Sequence, residues 1–216
     1  MAKINRKSVL QAAQPHRLMH PFAIHGPEEA GVDEVGRGCG AGPVVAAAVI
    51  LPEQVDLPEL RDSKKLNAAK RATLSSLIKE VAIDYSIGLA TVEEIDRINI
   101  LEATYLAMTR AIHGLRARPA LLVIDGNRFK NSTGIPHQTV IGGDDKVLSI
   151  AAASVIAKTW RDEHMAGLHQ DFPHYDWLSN KGYLSVRHRE ACFRYGLTIH
   201  HRRSFKGMVR EVTTGP

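Results

Sequence analysis

The stretch GVDEVGRGCGAGPVVAAAVIL, residues 31–51, contains the pattern that decides the fold of this 216-residue chain. GVDEV and VVAAAVIL are typical of strands, and the glycine-rich segment between them is typical of a turn. The acidic pair Asp33 and Glu34 interrupts the first strand. Neighbouring side chains of a regular strand point to opposite faces, so both acids serve one site only where the strand ends or bends. Gly36 and Gly38 allow such a bend, because glycine adopts backbone angles that other residues avoid.

The composition is that of a single globular domain. Hydrophobic residues make up 44% of the chain and charged residues 24%, which excludes a disordered or fibrous protein. The longest apolar run, residues 44–51, is too short to cross a bilayer, and the amino-terminal residues do not fit the pattern of a secretory signal. Cys39 and Cys192 do not indicate a disulfide framework. We expect a cytoplasmic, monomeric protein without a membrane partner.

Positive charge is concentrated near the carboxyl terminus. The formal net charge is +5, and residues 187–210 contain one acid, Glu190, among these basic residues: Arg187, Arg189, Arg194, Arg202, Arg203, Lys206 and Arg210. A basic excess favours a nucleic-acid partner, because neutralising phosphates releases counterions. The same pattern also fits a solvated helix face, so charge alone leaves both interpretations open.

Periodicity and capping signals indicate an α/β fold. Residues 1–27 contain helix-breaking prolines and are expected to form a flexible extension before a domain spanning 28–216. The predicted elements are, in order, two strands within 31–51, a helix over 68–81, a strand over 84–91, helices beginning after Thr91 and after Asn99, strands at ALLVIDGN (120–127) and HQTVIGGDDK (137–146), a long helix from Val147 and a basic, helical carboxyl-terminal region. The alternating Tyr85, Ile87 and Leu89 are predicted to form the buried face of their strand. Strands that first pair and then alternate with helices indicate a mixed sheet flanked by helices.

Acidic residues occur where apolar strands open into glycine-containing loops. Asp33 and Glu34 interrupt the first strand, Asp125 follows LLVI, and Asp144 follows TVIGG. Ligand sites gather at such strand ends, and converging carboxylates resist full ionisation unless a cation is present. Oxygen ligands select Mg²⁺ or Mn²⁺ rather than zinc. We therefore predict a divalent-metal site at these four acids, with Asp145 as a second candidate beside Asp144.

Two other classes of protein fit part of the pattern. Gly36, Gly38 and Ala41 match the G-x-G-x-x-A fingerprint of a dinucleotide-dependent oxidoreductase, but that motif must open a helix. Here Pro43 and a β-branched apolar run follow instead. A non-catalytic nucleic-acid-binding module accounts for the positive charge but leaves the four acids unexplained.

A set of motifs resembles the type II ribonucleases H. The motifs are DEVGRG with AGPVVAAAVIL, then DSKKL, VIDGN, GGDDKVLSIAAASVIAKTWRD, NKGY and HHRRSF, in the family's order from about residue 29 to residue 206. The resemblance implies a ribonuclease H-like fold, with a mixed five-stranded sheet, helices on both faces and a helical carboxyl-terminal extension. It also implies hydrolysis of the RNA strand of RNA–DNA hybrids and a role in removing ribonucleotides from DNA. The implied nick lies 5′ of an embedded ribonucleotide and leaves 3′-hydroxyl and 5′-phosphate ends.

The resemblance also implies roles for individual residues. Two divalent ions, Mg²⁺ or Mn²⁺, would be held by Asp33, Glu34, Asp125 and Asp144. The implied substrate-binding residues are Gly36, Arg37, Gly38, Lys64, Lys65 and Tyr183. The glycine segment would lay backbone groups against the ribose 2′-hydroxyl, which only RNA carries. The tyrosine would pack on the following sugar, and the two lysines, with the carboxyl-terminal arginines, would contact phosphates. Ser154 and Lys158 are given no chemical role.

Two features depart from the family pattern. Gly142 and Gly143 precede Asp144, where many relatives carry a lysine before a single glycine. Lys146 keeps the family's register and favours Asp144 over Asp145 as the ligand. The nearest rival is the type III class, whose glycine loop departs from GRG, and the extension of this chain is too short for the additional substrate-binding domain of that class.

Overall fold

A computed structural model describes residues 28–57, 59–60 and 63–208, apart from the side chain of Lys65. The predicted extension over residues 1–27 lies outside the described residues and remains a prediction. In the described part of the chain, five strands form a sheet in the order β3-β2-β1-β4-β5. The strands are β1 (Glu29–Val35), β2 (Val44–Ile50), β3 (Asp84–Ala90), β4 (Leu121–Asp125) and β5 (His137–Val140). β2 is antiparallel to β1 and β3, whereas β4 is parallel to β1 and β5.

The helices of the described residues are α1 (Ala68–Val81), α2 (Val92–His113), α3 (Leu148–Asp171), α4 (Trp177–Asn180) and α5 (Val186–Tyr195). The first two begin where the capping signals predict. The Asn67 side chain accepts a hydrogen bond from the Lys70 N–H at the start of α1, and Thr91 and Glu94 form the capping box of α2. Asn99, at φ +67°, kinks α2 where the second predicted helix begins.

The sheet is covered by helices on both faces. Residues 45, 47 and 49 of β2 pack with α1 and α3, and residues 44, 46, 48 and 50 pack with α2. β2 is therefore a continuous apolar run, as expected for a strand that is buried on both faces. This arrangement confirms the predicted mixed sheet flanked by helices.

The predicted buried face of β3 is confirmed only in part. Ile87 and Leu89 are partly buried against the core, but Tyr85 is 36% exposed. The residues of the opposite face, which contact α2, are more buried. A Cβ on Gly88 would overlap the Ala107 carbonyl oxygen and the Ala111 nitrogen. The small residue thus lets the α2 backbone approach closely, which a pattern based on large apolar side chains does not detect.

Two predicted boundaries also change. β5 ends at Val140, and Asp144 lies on a single 3₁₀ turn, Gly143–Asp145, rather than at a strand end. Within the described residues, the basic carboxyl-terminal region is helical only as far as Tyr195. The chain then returns to the loop between β1 and β2, where the Arg202 N–H donates to the Gly40 carbonyl at 2.9 Å.

Candidate active site

The predicted acids lie along one edge of the sheet. Asp33 and Glu34 are near the carboxyl end of β1, and Asp125 ends the parallel neighbour β4. The carboxyl ends of parallel strands meet at the same edge, where ligand sites form. The Gly143 N–H donates to Asp125 Oδ1 at 2.7 Å, which brings the 3₁₀ turn that carries Asp144 to this edge.

Burial opposes ionisation of these carboxyl groups. Asp33 is 5% exposed, and burial, followed by the charges of Glu34 and Asp125, raises its pKa well above the usual range. Burial also raises the pKa of Glu34, although the Arg37 guanidinium, 3.2 Å away, opposes this effect. A cation between the carboxylates would offset both desolvation and repulsion. The donor set, which consists of carboxylate oxygens, therefore fits a hard divalent ion.

Asp144 and Asp145 have different environments. Asp144 is 8% exposed, whereas Asp145 is exposed to solvent. Lys64 Nζ lies 3.8 Å from Asp144 Oδ2, so the DSKKL segment borders the acids. This arrangement favours Asp144 as the ligand. The Lys65 side chain lies outside the described residues, and its phosphate contact remains a prediction.

Ser154, which the sequence analysis left without a chemical role, borders the site. Its hydroxyl is near enough to Asp33 to oppose the rise in the pKa of that carboxyl, and it lies 2.9 Å from the Ser63 hydroxyl. The Glu34 N–H also donates to Asp33 Oδ1, at 2.7 Å. A serine within the alanine run of α3 was the available signal, because a buried hydroxyl needs a partner. Lys158, by contrast, pairs with Asp162 at 2.6 Å, away from the acids.

The glycine loop, residues 36–43, and Tyr183 form one partly exposed surface. Gly36 has φ +92°, and a Cβ there would overlap the Arg161 guanidinium, so this position requires glycine. A Cβ on Gly38 would lie 3.8 Å from Cε1 of Tyr183, so the ring borders the loop. The Gly182 carbonyl accepts hydrogen bonds from the N–H groups of residues 40 and 41, which fixes NKGY against the loop.

One of the carboxyl-terminal arginines does not contact solvent. The exposed basic residues of this region are Arg187, Arg189, Arg194, Arg203 and Lys206. Arg202 is 0% exposed, and its side chain donates to carbonyl groups of the glycine loop. The prediction that it contacts phosphate is therefore wrong. Arg210 lies outside the described residues.

Sequence comparison decides the family. The family model for ribonuclease HII matches residues 30–208. A ribonuclease HII of Parabacteroides distasonis is 50% identical over 92% of this chain and 100% of the relative, and one of Bacteroides fragilis is 54% identical over 82% and 88%. The chain belongs to the ribonuclease HII family. It is a ribonuclease H hydrolase, as the resemblance implied, rather than a binding module or an oxidoreductase.

Solved structures confirm the ribonuclease H-like fold. The ribonuclease H2 of Pyrococcus horikoshii has a TM-score of 0.70 and 26% identity, over 83% of this chain and 94% of its own. The ribonuclease HII of Archaeoglobus fulgidus, solved in a complex with PCNA, has a TM-score of 0.67 and 25% identity, over 81% and 92%. Bst-RNase HIII, solved in complex with Mn²⁺, shares the fold at a TM-score of 0.68 and 20% identity, over 83% of this chain and 67% of its own. The family match is to type II, not to the type III rival.

None of the described helices combines the length and the apolar character that a membrane span requires. The cytoplasmic location and the monomeric state remain predictions.

A second group of possible metal ligands lies beside the glycine loop of this ribonuclease HII family member. Its atoms all lie within 4.8 Å of one another and belong to His188, Cys192 and His201. His201 Nδ1 accepts from the Thr198 N–H at 2.9 Å, so the proton of the neutral ring is on Nε2, 3.1 Å from His188 Nε2. That proton occupies the place a metal would need. Burial lowers the pKa of His201 to about 4, which keeps the ring neutral. We conclude that this is a hydrogen-bonded part of the core.

Proposed function

We propose that residues 28–216 form one catalytic domain that hydrolyses the RNA strand of RNA–DNA hybrids and nicks DNA 5′ of embedded ribonucleotides. The products are 3′-hydroxyl and 5′-phosphate ends, and the cell uses the activity to remove ribonucleotides from DNA. The cofactors are two divalent ions, Mg²⁺ or Mn²⁺. The observation that carries the proposal is the meeting of buried or partly buried acids from β1, β4 and the 3₁₀ turn at one edge of the sheet.

The carboxylate donors fit ions that also bind the substrate. Mg²⁺ in phosphoryl-transfer sites is held by one or two carboxylates, water and substrate phosphate, rather than by a closed protein cage. When bound, two such ions activate the attacking water and stabilise the leaving oxygen. Asp33 and Asp125 are assigned to the central positions, and the charge of Asp125 acts on both acids of β1, so these carboxyl groups lie close together. Glu34 and Asp144 complete the two ligand shells.

Substrate recognition is assigned to the surface formed by the glycine loop and Tyr183. Gly38 is exposed beside the tyrosine ring, so backbone groups can approach a ribose without obstruction by a side chain. The 2′-hydroxyl distinguishes RNA from DNA. Lys64, next to Asp144, and the exposed arginines of α5 contact phosphates and position the duplex without reading its sequence.

The proposal is tested with a DNA duplex that contains one ribonucleotide. The protein is incubated with this duplex and Mg²⁺ or Mn²⁺, and parallel reactions contain a chelator or an all-DNA duplex. We expect metal-dependent nicking on the 5′ side of the ribonucleotide, and enzymatic ligation or phosphatase treatment of the products identifies their ends. Binding without nicking, or nicking that persists in the chelator, would contradict the proposal.

Tyr183→Ala is expected to lower cleavage at a single ribonucleotide about tenfold, which corresponds to roughly 1.4 kcal/mol of lost contact. Tyr183 is 48% exposed, so truncation removes a substrate contact and little of the core. The measurement is kcat/KM on the single-ribonucleotide duplex and on a duplex with a continuous RNA strand, for which the tyrosine contact at one junction matters less.

Tyr85→Ala is the matched control for this prediction. Tyr85 is 36% exposed and lies on β3, at the opposite edge of the sheet from β4 and β5. We expect unchanged preference for the junction in this variant. If Tyr183→Ala kept the wild-type ratio of the two kcat/KM values, the tyrosine would have no role in reading the junction.

A further inference from the structure

Two arginine side chains are fully buried behind the glycine loop. Arg161 in α3 and Arg202 in the carboxyl-terminal segment are each 0% exposed. A buried guanidinium is unfavourable unless hydrogen bonds or opposite charges compensate for lost hydration. In the described part of the chain, the side-chain hydrogen bonds of both residues go to backbone carbonyl oxygens.

The accepting carbonyls belong to the glycine loop and to the segment before Tyr183. Arg161 donates to Ala41 at 2.9 Å, Pro43 at 3.0 Å and Lys181 at 2.8 Å, and Arg202 donates to Gly42 and Arg37, both at 2.9 Å. The two side chains therefore fix both halves of the proposed recognition surface from the interior.

The bond from Arg202 to the Arg37 carbonyl sets the direction of the next N–H group. The peptide between Arg37 and Gly38 is trans, and in a trans peptide the C=O and the N–H point in opposite directions. Because the carbonyl faces the buried guanidinium, the Gly38 N–H faces away from it, toward the exposed side of the loop that Tyr183 borders.

The interactions of the buried Arg202 guanidinium leave one donor unpaired. Its side chain donates to two loop carbonyls, and its Cζ atom lies 5.1 Å from the centre of the Phe205 ring. The Nη2 atom is buried and has no hydrogen-bond partner among the described residues, and an unsatisfied buried donor opposes folding. The hydrogen bonds that Arg202 does make all fix the geometry of the loop.

We propose that Arg161 and Arg202 are positioning residues that direct the Gly38 N–H toward the oxygen of the ribose 2′-hydroxyl. This inference rests on the proposed function, since it assigns ribose recognition to the glycine loop. Neither arginine touches substrate or metal. Their loss removes the distinction between ribose and deoxyribose, whereas general duplex binding through exposed basic residues remains.

The test compares wild type with Arg202→Lys. Lysine keeps the charge but lacks the planar fork that reaches the Gly42 and Arg37 carbonyls together. The Kd values are measured in a chelator, to prevent cleavage, for two duplexes that differ in a single 2′-hydroxyl. We expect wild type to bind the ribonucleotide duplex more tightly than the all-DNA duplex. In Arg202→Lys, the ratio of the two Kd values should fall roughly tenfold, as for one lost hydrogen bond. The Kd for the all-DNA duplex should stay unchanged.

Arg203→Lys is the matched control, because Arg203 is the adjacent exposed arginine, and it should retain the wild-type preference. An unchanged preference in Arg202→Lys, or an equal loss of affinity for both duplexes, overturns the inference while leaving the proposed function intact. A wild type without any preference overturns ribose recognition by the loop, and the inference with it.

A measurement on the wild-type protein covers the case in which Arg202→Lys does not fold. Amide hydrogen exchange at Gly38 is followed with each duplex bound. Slower exchange with the ribonucleotide duplex than with the all-DNA duplex supports the inference. Equal exchange with both duplexes overturns it.

Discussion

Asp33→Asn is expected to lower metal-dependent cleavage at least about 1,000-fold. Removing a residue that only hydrogen-bonds to a metal ligand typically lowers metal affinity or activity about 10–100-fold. The loss should be larger for Asp33, because it is assigned as a direct ligand of the ions. Asparagine keeps the oxygen that accepts the Glu34 N–H at 2.7 Å, so the charge is removed with little change of shape. Initial rates on the single-ribonucleotide duplex, with Mg²⁺ or Mn²⁺, provide the measurement.

The same substitution is expected to stabilise the metal-free protein. Burial and neighbouring charges raise the pKa of Asp33 in the folded state. Stability of the wild type therefore falls as pH rises from the unfolded pKa toward the raised folded pKa, because the unfolded state releases its proton first. Asparagine does not titrate, so the difference in stability in favour of the variant grows as pH rises between these two pKa values. Chemical denaturation at several pH values, in a chelator, measures the difference.

Divalent ions should reverse this order of stability. A ligand that binds only the folded state raises the wild-type melting temperature, and we expect a much smaller rise in Asp33→Asn. Asp145→Asn is the matched control, because Asp145 is exposed next to the assigned ligand Asp144. Near-normal cleavage by Asp33→Asn, or an equal loss in Asp145→Asn, would contradict the ligand assignment.

Gly31→Ala is expected to destabilise the fold by at least about 3 kcal/mol, at the upper end of the usual cost of overpacking. A Cβ on Gly31 in β1 would overlap the backbone of Ser149 and Ile150 at the start of α3. Backbone atoms cannot move aside by changing rotamer, so the helix must shift away from the sheet. For a chain of this length, the loss corresponds to a decrease in melting temperature of roughly 6–12 °C.

Gly167→Ala is a control for which we expect an increase in stability rather than a decrease. Gly167 lies in α3, and a Cβ there would meet no atom within 4 Å. Alanine should therefore stabilise the helix by roughly 0.5–1 kcal/mol. Equal melting temperatures for Gly31→Ala and wild type would show that α3 does not pack as closely on β1 as the structure describes.

The strands and the acids could be predicted because their signals are local. A capping box or an apolar run is contained within a few residues, and Asp33 or Asp125 is conspicuous next to such a run. The pairing of β1 with β4 is not local, since α1, α2 and two strands separate them. The order of the elements indicated a mixed sheet flanked by helices, but the resemblance to the ribonucleases H, not the pattern, supplied the five-stranded arrangement.

The remaining parts of the site depend on contacts between distant segments. Arg202 occurs in a basic run that predicts solvent exposure, because arginine is seldom fully buried. Its burial depends on carbonyl groups of a loop far away in the sequence. Ser154 is inconspicuous within an alanine run, and its neighbours Asp33 and Ser63 belong to two other segments.

The parallel pairing of β1 with β4 has a consequence for synthesis of the protein. A ribosome delivers Asp33 and Glu34 early, but Asp125 and the 3₁₀ turn emerge only after α2 is complete. Under the proposed ligand assignment, a nascent chain that has not reached this turn lacks Asp144 and has an incomplete ligand set. We therefore expect translation products that end before the turn to be inactive as nucleases.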